Sequence, residues 1–302
     1  MKNGERLEGI SIERWLRRYS GNNTFDRFWV PLLRAKMGDQ WTDSSAAFMW
    51  ATMRRLTAAR RKGLRREEFG YVRGGYARVF DRFESRLSSL GAKIRVGEPV
   101  DEVRRTAGGL EIRSQGGTER FDSVVVATAA PLAASMCTDL TDAEKLRLDA
   151  VRYVGVVCSS LLLPAALSSY YLTYVTDAAT PFTGVVEMTA MIDPAELGGQ
   201  HLVYLPKYVV PDDPLFEATD QQIQAQMLPY LASMYPHFDP ALMRAFRVSR
   251  VRRVFAIPTL HYSRTQPSMS TTVPGLQLIG SANLPFSTLN VDDTLSLVEH
   301  LR

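Results

Sequence analysis

The stretch from residue 70 to residue 131 constrains the fold of this chain more than any other. A Gly74-Gly75 step leads into a helix-like segment, and Ser123-Val-Val-Val-Ala-Thr128 is a short apolar run that ends on small residues. An apolar run bounded by turn residues is typical of a strand buried on both faces. Between them, the alternation in Leu110-Glu-Ile-Arg113 and the Gly116-Gly117 pair predict a hairpin. A helix, a hairpin and a buried strand in this order indicate one half of a nucleotide-binding α/β domain.

Composition places the chain among ordinary globular proteins. It has 302 residues, of which 45% are hydrophobic and 23% charged, enough for a large core and more than one structural unit. The 36 basic residues are nearly balanced by 32 acidic ones, so the net charge of +4 gives no reason to expect nucleic acid as a partner. Cys137 and Cys158 lie in apolar surroundings, which favours packed thiols, a reducing compartment and a cytoplasmic location.

One uncharged run, between Arg152 and Asp177, is long enough to span a bilayer. However, Pro164 and four serines interrupt it, and β-branched and tyrosine residues dominate its two ends. We therefore predict two strands joined by a loop.

A capping-box pattern at Thr141 and Glu144 predicts the start of a helix. The strand-like segments downstream of it predict a mixed sheet with one or two helices.

These patterns predict an α/β (mixed α+β) chain in four parts. Residues 1–69 form a helical segment, and residues 70–140 contain the half of a nucleotide-binding domain. Residues 141–264 form a separate mixed-sheet domain on the substrate side. Residues 265–302 return to the nucleotide-binding style with a short strand, a loop and a final helix, an arrangement that can receive a phosphate or a polar ring edge.

A basic tail follows the helical segment. Its members are Arg54, Arg55, Arg60, Arg61, Lys62, Arg65 and Arg66. A solvated helix end is the simpler interpretation, because cations are favourable near a helix C-terminus. The alternative is a weak contact of residues 54–66 with anionic lipid headgroups or an acidic partner, peripheral to a membrane.

The motifs of the nucleotide-binding parts resemble those of a known family. Gly74-Gly75, the segment Gly91–Val100 and the segment Asp122–Pro131 occur in the order seen in the flavin-dependent amine oxidase and protoporphyrinogen oxidase superfamily. In that family Gly91–Val100 would be a strand. The segment Gly275–Arg302 is similar to the closing flavin motif, in which a strand enters the site and a helix caps the ring. Pro181–Glu187 resembles the substrate domain of bacterial protoporphyrinogen-oxidase-like members.

The resemblance implies FAD as cofactor and the oxidation of a small organic substrate by hydride transfer to the flavin. It implies a discontinuous FAD-binding domain, with residues 70–140 as its central part and residues 265–302 as its C-terminal part. The inserted residues 141–264 would then be the substrate domain, to which the helical segment 1–69 also belongs. The residues that it places near the cofactor are Arg73, Gly74, Gly75, Val100, Ala127, Thr128, Gly280, Ser281, Asn290 and Val291. No residue is identified as a catalytic acid or base. The four histidines have no spacing that suits a metal, so no metal site is expected.

Two departures from the family pattern shape the functional hypothesis. The sequence contains no Gly-x-Gly-x-x-Gly, the turn that holds the cofactor pyrophosphate, and Gly280-Ser281 stands where the family usually offers Gly-Asp. We therefore expect the chain to lack the first nucleotide-binding unit and to bind FAD weakly or not at all alone. A second chain could supply that unit. The alternatives are a non-catalytic remnant or partner subunit of a split flavoprotein, and a flavin-dependent sugar-nucleotide mutase.

Overall fold

The computed structural model describes residues 4–58, 70–284, 286, 290–299 and 301. Its α-helices are α1 (Ile12–Thr24), α2 (Val30–Met37), α3 (Ala46–Ala58), α4 (Gly75–Ser89), α5 (Ala130–Met136), α6 (Asp142–Asp149), α7 (Asp220–Met234), α8 (Tyr262–Thr265) and α9 (Val291–Glu299). Its strands are β1 (Val100–Thr106), β2 (Gly109–Ser114), β3 (Gly117–Phe121), β4 (Val124–Val126), β5 (Tyr153–Leu163), β6 (Leu172–Tyr174), β7 (Gly184–Glu187), β8 (His201–Val209), β9 (Ala245–Ala256) and β10 (Leu276–Leu278). The predicted mixture of helices and strands is confirmed.

The largest sheet has five antiparallel strands in the order β6-β7-β8-β5-β9. The uncharged run forms β5 and β6, so the prediction of two strands is confirmed. Within the described residues, no helix is both long and apolar enough to cross a membrane. A bulge at Gly155 bends β5 against β9, and a Cβ atom there would lie 2.7 Å from the Phe216 ring and 2.8 Å from the carbonyl oxygen of Arg252.

Both faces of this sheet are covered. Val203 and Leu205 of β8 pack with Ile223 of α7 in one buried cluster. Tyr208, with the opposite parity on β8, packs instead against a cluster formed by α1–α3 and Phe255 of β9. Successive strand residues point to opposite faces, so the helical segment and α7 sandwich the sheet between them.

The remaining strands build two small sheets. β1, β2 and β3 form an antiparallel meander, whereas β4 and β10 form a parallel pair. A third buried cluster joins residues of β1, β2, β4, α5 and α6 to Val273, Leu276 and Leu278, about 150 positions further along the chain. The division into four parts given by the sequence remains a prediction.

One sequence prediction is wrong in this region. The segment Gly91–Val100 is not a strand: residues 92–96 belong to no ladder, and only Val100 enters β1. A buried parallel strand exists only when neighbours pair with its backbone on both sides, and the described residues provide no such neighbours for residues 92–96. Ile94 and Val96 are accordingly exposed, Val96 at 89%.

The predicted capping box at α6 is present, and it does more than begin a helix. Thr141 and Glu144 exchange the expected backbone and side-chain hydrogen bonds. Glu144 also accepts hydrogen bonds from the backbone N–H and the hydroxyl of Thr272, both at 2.7 Å. Burial opposes ionisation here, but the hydrogen bonds from Thr272 and Thr141 outweigh it and lower the pKa of Glu144 to about 2.

We expect Glu144→Gln to lower the free energy of unfolding by about 1 kcal/mol at neutral pH, because the lost bonds are charge-assisted but partly screened by solvent. The folded-state pKa is depressed, so this stabilisation is fully present above the ordinary value of 4.5 and disappears as pH falls towards 2. Urea unfolding at several pH values measures the difference between wild type and variant. A difference that stays constant from pH 7 to pH 2 would contradict the assignment.

Candidate functional site

The carboxyl ends of the parallel strands β4 and β10 bring together four of the residues singled out in the sequence. Ala127 and Thr128 follow β4 directly, and Gly280 and Ser281 follow β10 after one residue. The two chains remain joined beyond the strands, because Ile279 N–H donates to the carbonyl of Val126 at 3.0 Å. Ligands of open α/β sheets bind beyond the carboxyl ends of the strands.

Gly280 sits where these two chain segments approach closely. A Cβ atom at this position would lie 2.6 Å from the carbonyl oxygen of Thr128. Its own N–H donates to the side-chain oxygen of Asn283 at 3.0 Å, and the Asn283 amide donates to the carbonyl of Pro267 at 2.9 Å. The need for glycine therefore follows from the packing of the loop itself, whatever binds beyond it.

Tyr153, at the start of β5, contacts both of these loops. The sequence patterns did not identify it as a site residue. Its hydroxyl oxygen accepts a hydrogen bond from the backbone N–H of Ala130 at 3.0 Å and contacts the side chain of Ser281. Burial raises the pKa of Tyr153, and the bonds to Ala130 and Ser281 only partly offset this. A tyrosine in an apolar strand reads as ordinary core, and nothing in the sequence shows which loops it meets.

Arg73, Gly74 and Gly75 form a turn beside the large sheet. Both glycines have positive φ, 84° and 71°, so a turn that needs left-handed backbone accounts for them. The Gly74 N–H donates to Glu196 Oε2 at 2.9 Å, and Arg73 Nε lies 3.8 Å from Glu196 Oε1. Glu196 had no signal in the sequence, since it is 122 positions from Gly74.

The other three candidates lie elsewhere in the fold. Val100 begins β1 and pairs with Ser114, so it belongs to the antiparallel meander and not to the parallel pair. Asn290 precedes α9, where its side-chain oxygen accepts from the Asp293 N–H at 2.8 Å. Val291 is the first residue of α9 and is 60% exposed. Their roles towards a cofactor remain predictions.

The residues present fit part of a flavin nucleotide. Small residues at the ends of β4 and β10 leave the backbone open to close approach, as an extended cofactor requires. The residues do not fit its pyrophosphate in the usual way, because no glycine-rich strand-turn-helix motif occurs in the sequence.

Among the described residues, no group of His, Cys, Asp or Glu could hold a metal ion. Burial raises the pKa of both Cys137 and Cys158 to about 11, which disfavours the nucleophilic thiolate form of each.

Known proteins resemble this chain at the level of family and fold. The family model described as flavin containing amine oxidoreductase matches residues 1–285. A putative protoporphyrinogen oxidase from Exiguobacterium sp. 255-15 superposes with a TM-score of 0.73 at 17% identity, over 97% of this chain and 66% of that one. Reduced UDP-galactopyranose mutase gives 0.71 at 13% identity, over 94% and 65%. A putrescine oxidase variant from a redesign of cofactor binding gives 0.68 at 15% identity, over 98% and 67%.

The chain thus spans about two thirds of the length of these solved structures. No curated protein matches it. At 13–17% identity the structural likeness shows the fold alone, whereas the family model covers nearly the whole sequence. On that match, the chain belongs to the flavin containing amine oxidoreductase family.

Proposed function

We propose that this protein is a cytoplasmic FAD-dependent oxidoreductase component, complete only when a second chain supplies the unit that holds the cofactor pyrophosphate. In that complex a small organic substrate would be oxidised. The bound flavin would supply the redox chemistry by accepting a hydride. This chain would contribute the substrate domain and the small-residue loops at Thr128 and Gly280 that pass close to the cofactor.

The uncovered face of α4 is the observation that carries the second-chain part of the proposal. Tyr76, Val79, Phe80 and Phe83 lie on one side of this helix, at spacings of three and four residues. Their exposed fractions are 68%, 41%, 65% and 59%, and α4 has no buried residue at all. We call this apolar stripe the α4 face.

Such a helix is not expected to be left bare. Most helical stability in proteins comes from packing of the apolar face, and a 15-residue helix is marginal in isolation. A contiguous exposed apolar surface usually marks an interaction site. The α4 face therefore favours a large apolar partner that packs along the whole helix.

The unpaired segment after α4 and the short parallel sheet favour a partner of α/β type. Within the part of the chain that the structure describes, residues 92–96 follow the helix without a strand partner, and the parallel sheet formed by β4 and β10 has two strands. Parallel sheets occur almost only with both faces covered, and their strands are joined through crossover helices. A unit of strand, glycine-rich turn and helix would add neighbouring strands and cover the α4 face together.

The test is co-expression of this chain with the product of a neighbouring reading frame that carries Gly-x-Gly-x-x-Gly. We expect the chain alone to be colourless and to leave the absorbance of added FAD unchanged, whereas the purified pair retains FAD and is yellow. A chain that binds FAD stoichiometrically alone would refute the need for a second chain. A pair that forms but never binds flavin would refute the flavoprotein assignment itself.

A charge placed on the α4 face is expected to weaken assembly with the second chain and to leave folding of this chain unchanged. Phe83→Glu should lower FAD retention by the pair at least tenfold, because a carboxylate would be buried at the interface without a partner. The melting temperature of the chain alone should not change, since Phe83 is 59% exposed. Ser85→Glu, on the opposite side of α4, is the matched control and should leave FAD retention within twofold of wild type. Equal loss in both variants would contradict the docking role of this face.

The structural likeness to a sugar-nucleotide mutase concerns the fold, so the mutase alternative is decided by ligand binding. A flavin-loaded pair that binds uridine nucleotides tightly and shows no net substrate oxidation would favour it over the oxidoreductase.

A further inference from the structure

A cavity of about 550 Å³ lies between helices α2 and α3 and the outer part of the five-stranded sheet. Ligand pockets are typically roughly 300–1,000 Å³ with mainly apolar walls, and this cavity has both properties. Its larger wall residues are Trp29, Phe48, Met49, Tyr174, Tyr208 and Phe255. The helical segment contributes one wall and strands β6–β9 contribute the other.

The charged side chains among the described wall residues of this cavity are all cationic. Lys36 and Arg55 line it, and no Asp or Glu does so among the residues that the structure describes. The Lys36 ammonium lies 4.7 Å from the centre of the Tyr208 ring and 5.5 Å from that of Phe255, with the Tyr208 hydroxyl oxygen at 3.3 Å. The carboxylate closest to Lys36 in sequence, Asp39, pairs instead with Arg34 at 3.1 Å.

Aromatic rings hold the Lys36 ammonium in place but do not neutralise it. A cation over a ring is attracted by about 0.5–1 kcal/mol at exposed sites, whereas an anion that also accepts its hydrogen bonds is held more strongly. A ligand carboxylate would therefore find a positioned cation that no described carboxylate neutralises. An ammonium ligand would instead meet two like charges with no described carboxylate to balance its own.

We infer that this cavity binds a ligand with a flat apolar body and one anionic group, such as an aromatic carboxylate, with Lys36 as the main anion contact and Arg55 as the second. The inference deepens the proposed function by naming its substrate class. It also separates this protein from family members whose substrate is a free amine.

Binding of three probes with the same ring system tests the inference: 2-naphthoate, 2-naphthylmethanol and 2-naphthylmethylammonium. Isothermal titration calorimetry on the full chain, without flavin, is expected to give at least tenfold tighter binding of the anion than of the cation. The neutral probe should fall between them. Equal affinity for anion and cation, or preference for the cation, would overturn the inference.

Two lysine variants test whether the Lys36 ammonium is the group that binds the anion. Lys36→Met should weaken 2-naphthoate at least fivefold and change 2-naphthylmethanol less than twofold, because only the charge contact is lost. Lys93→Met, an exposed lysine outside the cavity, has the same change in net charge and should leave all three affinities unchanged. Loss of 2-naphthoate binding in both variants would indicate non-specific charge attraction and overturn the inference.

Filling the cavity provides an independent check. Thr52→Trp places a large ring in it from α3, and binding of all three probes should be lost while circular dichroism and the melting temperature stay those of a folded chain. Unchanged 2-naphthoate binding by folded Thr52→Trp would show that the probe binds elsewhere. Because no flavin is present, failure of this experiment leaves the flavin test untouched, and failure of the flavin test leaves this one untouched.

Discussion

Phe255→Ala is expected to lower the free energy of unfolding by about 3–5 kcal/mol, the range for removing a fully buried aromatic ring. Phe255 is 2% exposed and lies where the helical segment meets the sheet. Its ring is stacked on Phe48 of α3, with centroids 6.5 Å apart and planes inclined by only 2°. The variant therefore loses apolar burial, the ring pair and the contact with the Lys36 side chain together.

Urea unfolding followed by tryptophan fluorescence measures this loss, because tryptophans of the helical segment pack in the same cluster. Phe80→Ala is the control, since Phe80 lies on the α4 face at 65% exposure and should change stability by less than about 0.5 kcal/mol. Phe255→Leu should cost less than Phe255→Ala, because most of the volume is retained. A loss below about 1 kcal/mol for Phe255→Ala would show that the helical segment does not depend on this contact.

Gly280→Ala is expected to cost about 2 kcal/mol, through crowding and not through backbone strain. The φ angle of Gly280 is −179°, extended backbone that any residue adopts. The added Cβ atom would instead lie 2.6 Å from the carbonyl oxygen of Thr128, a backbone atom that cannot rotate away. The ends of β4 and β10 must separate to accept it, and overpacking of this kind typically costs about 1–3 kcal/mol.

Thermal unfolding monitored by circular dichroism measures the change, with Gly108→Ala as the matched control. A Cβ atom at Gly108 has no neighbour within 4 Å, so this control should stay within about 0.5 kcal/mol of wild type. If both alanine variants were equally stable, the close approach of the Thr128 and Gly280 loops would be wrong. In the proposed complex, the spread of these loops should also weaken FAD retention.

Local sequence patterns correctly predicted the features that depend on interactions between residues close together in the chain. The capping box at Thr141 and Glu144 formed because its partners are three residues apart, within one helical turn. The uncharged run divided into β5 and β6 at Pro164, Ser168 and Ser169, residue types that favour turns, whereas Ser159 and Ser160 lie inside β5. The order of the glycine and apolar motifs was enough to identify the family.

The sequence did not predict structure that depends on distant partners. Residues 92–96 have a strand-like composition, yet they join no sheet because strand pairing needs a neighbour that the described chain does not place there. The contact of Glu196 with Gly74 spans 122 positions, and the contact of Tyr153 with Ala130 links separate elements. Neither leaves a periodic signal, because hydrophobic spacing reports only which face of an element is buried.

The sequence by itself therefore determined the capped start of α6, the two strands of the uncharged run, the family and the small residues at the ends of β4 and β10. Only the tertiary structure decided that the Thr128 and Gly280 loops approach closely, that the α4 face is exposed, and that Lys36 lies over Tyr208 in a cavity lined by no described carboxylate. The physical reason is the distance along the chain over which each kind of interaction acts. Propensity, capping and periodicity act within a few residues, whereas a cavity or an uncovered face is created by segments brought together from positions far apart in the chain.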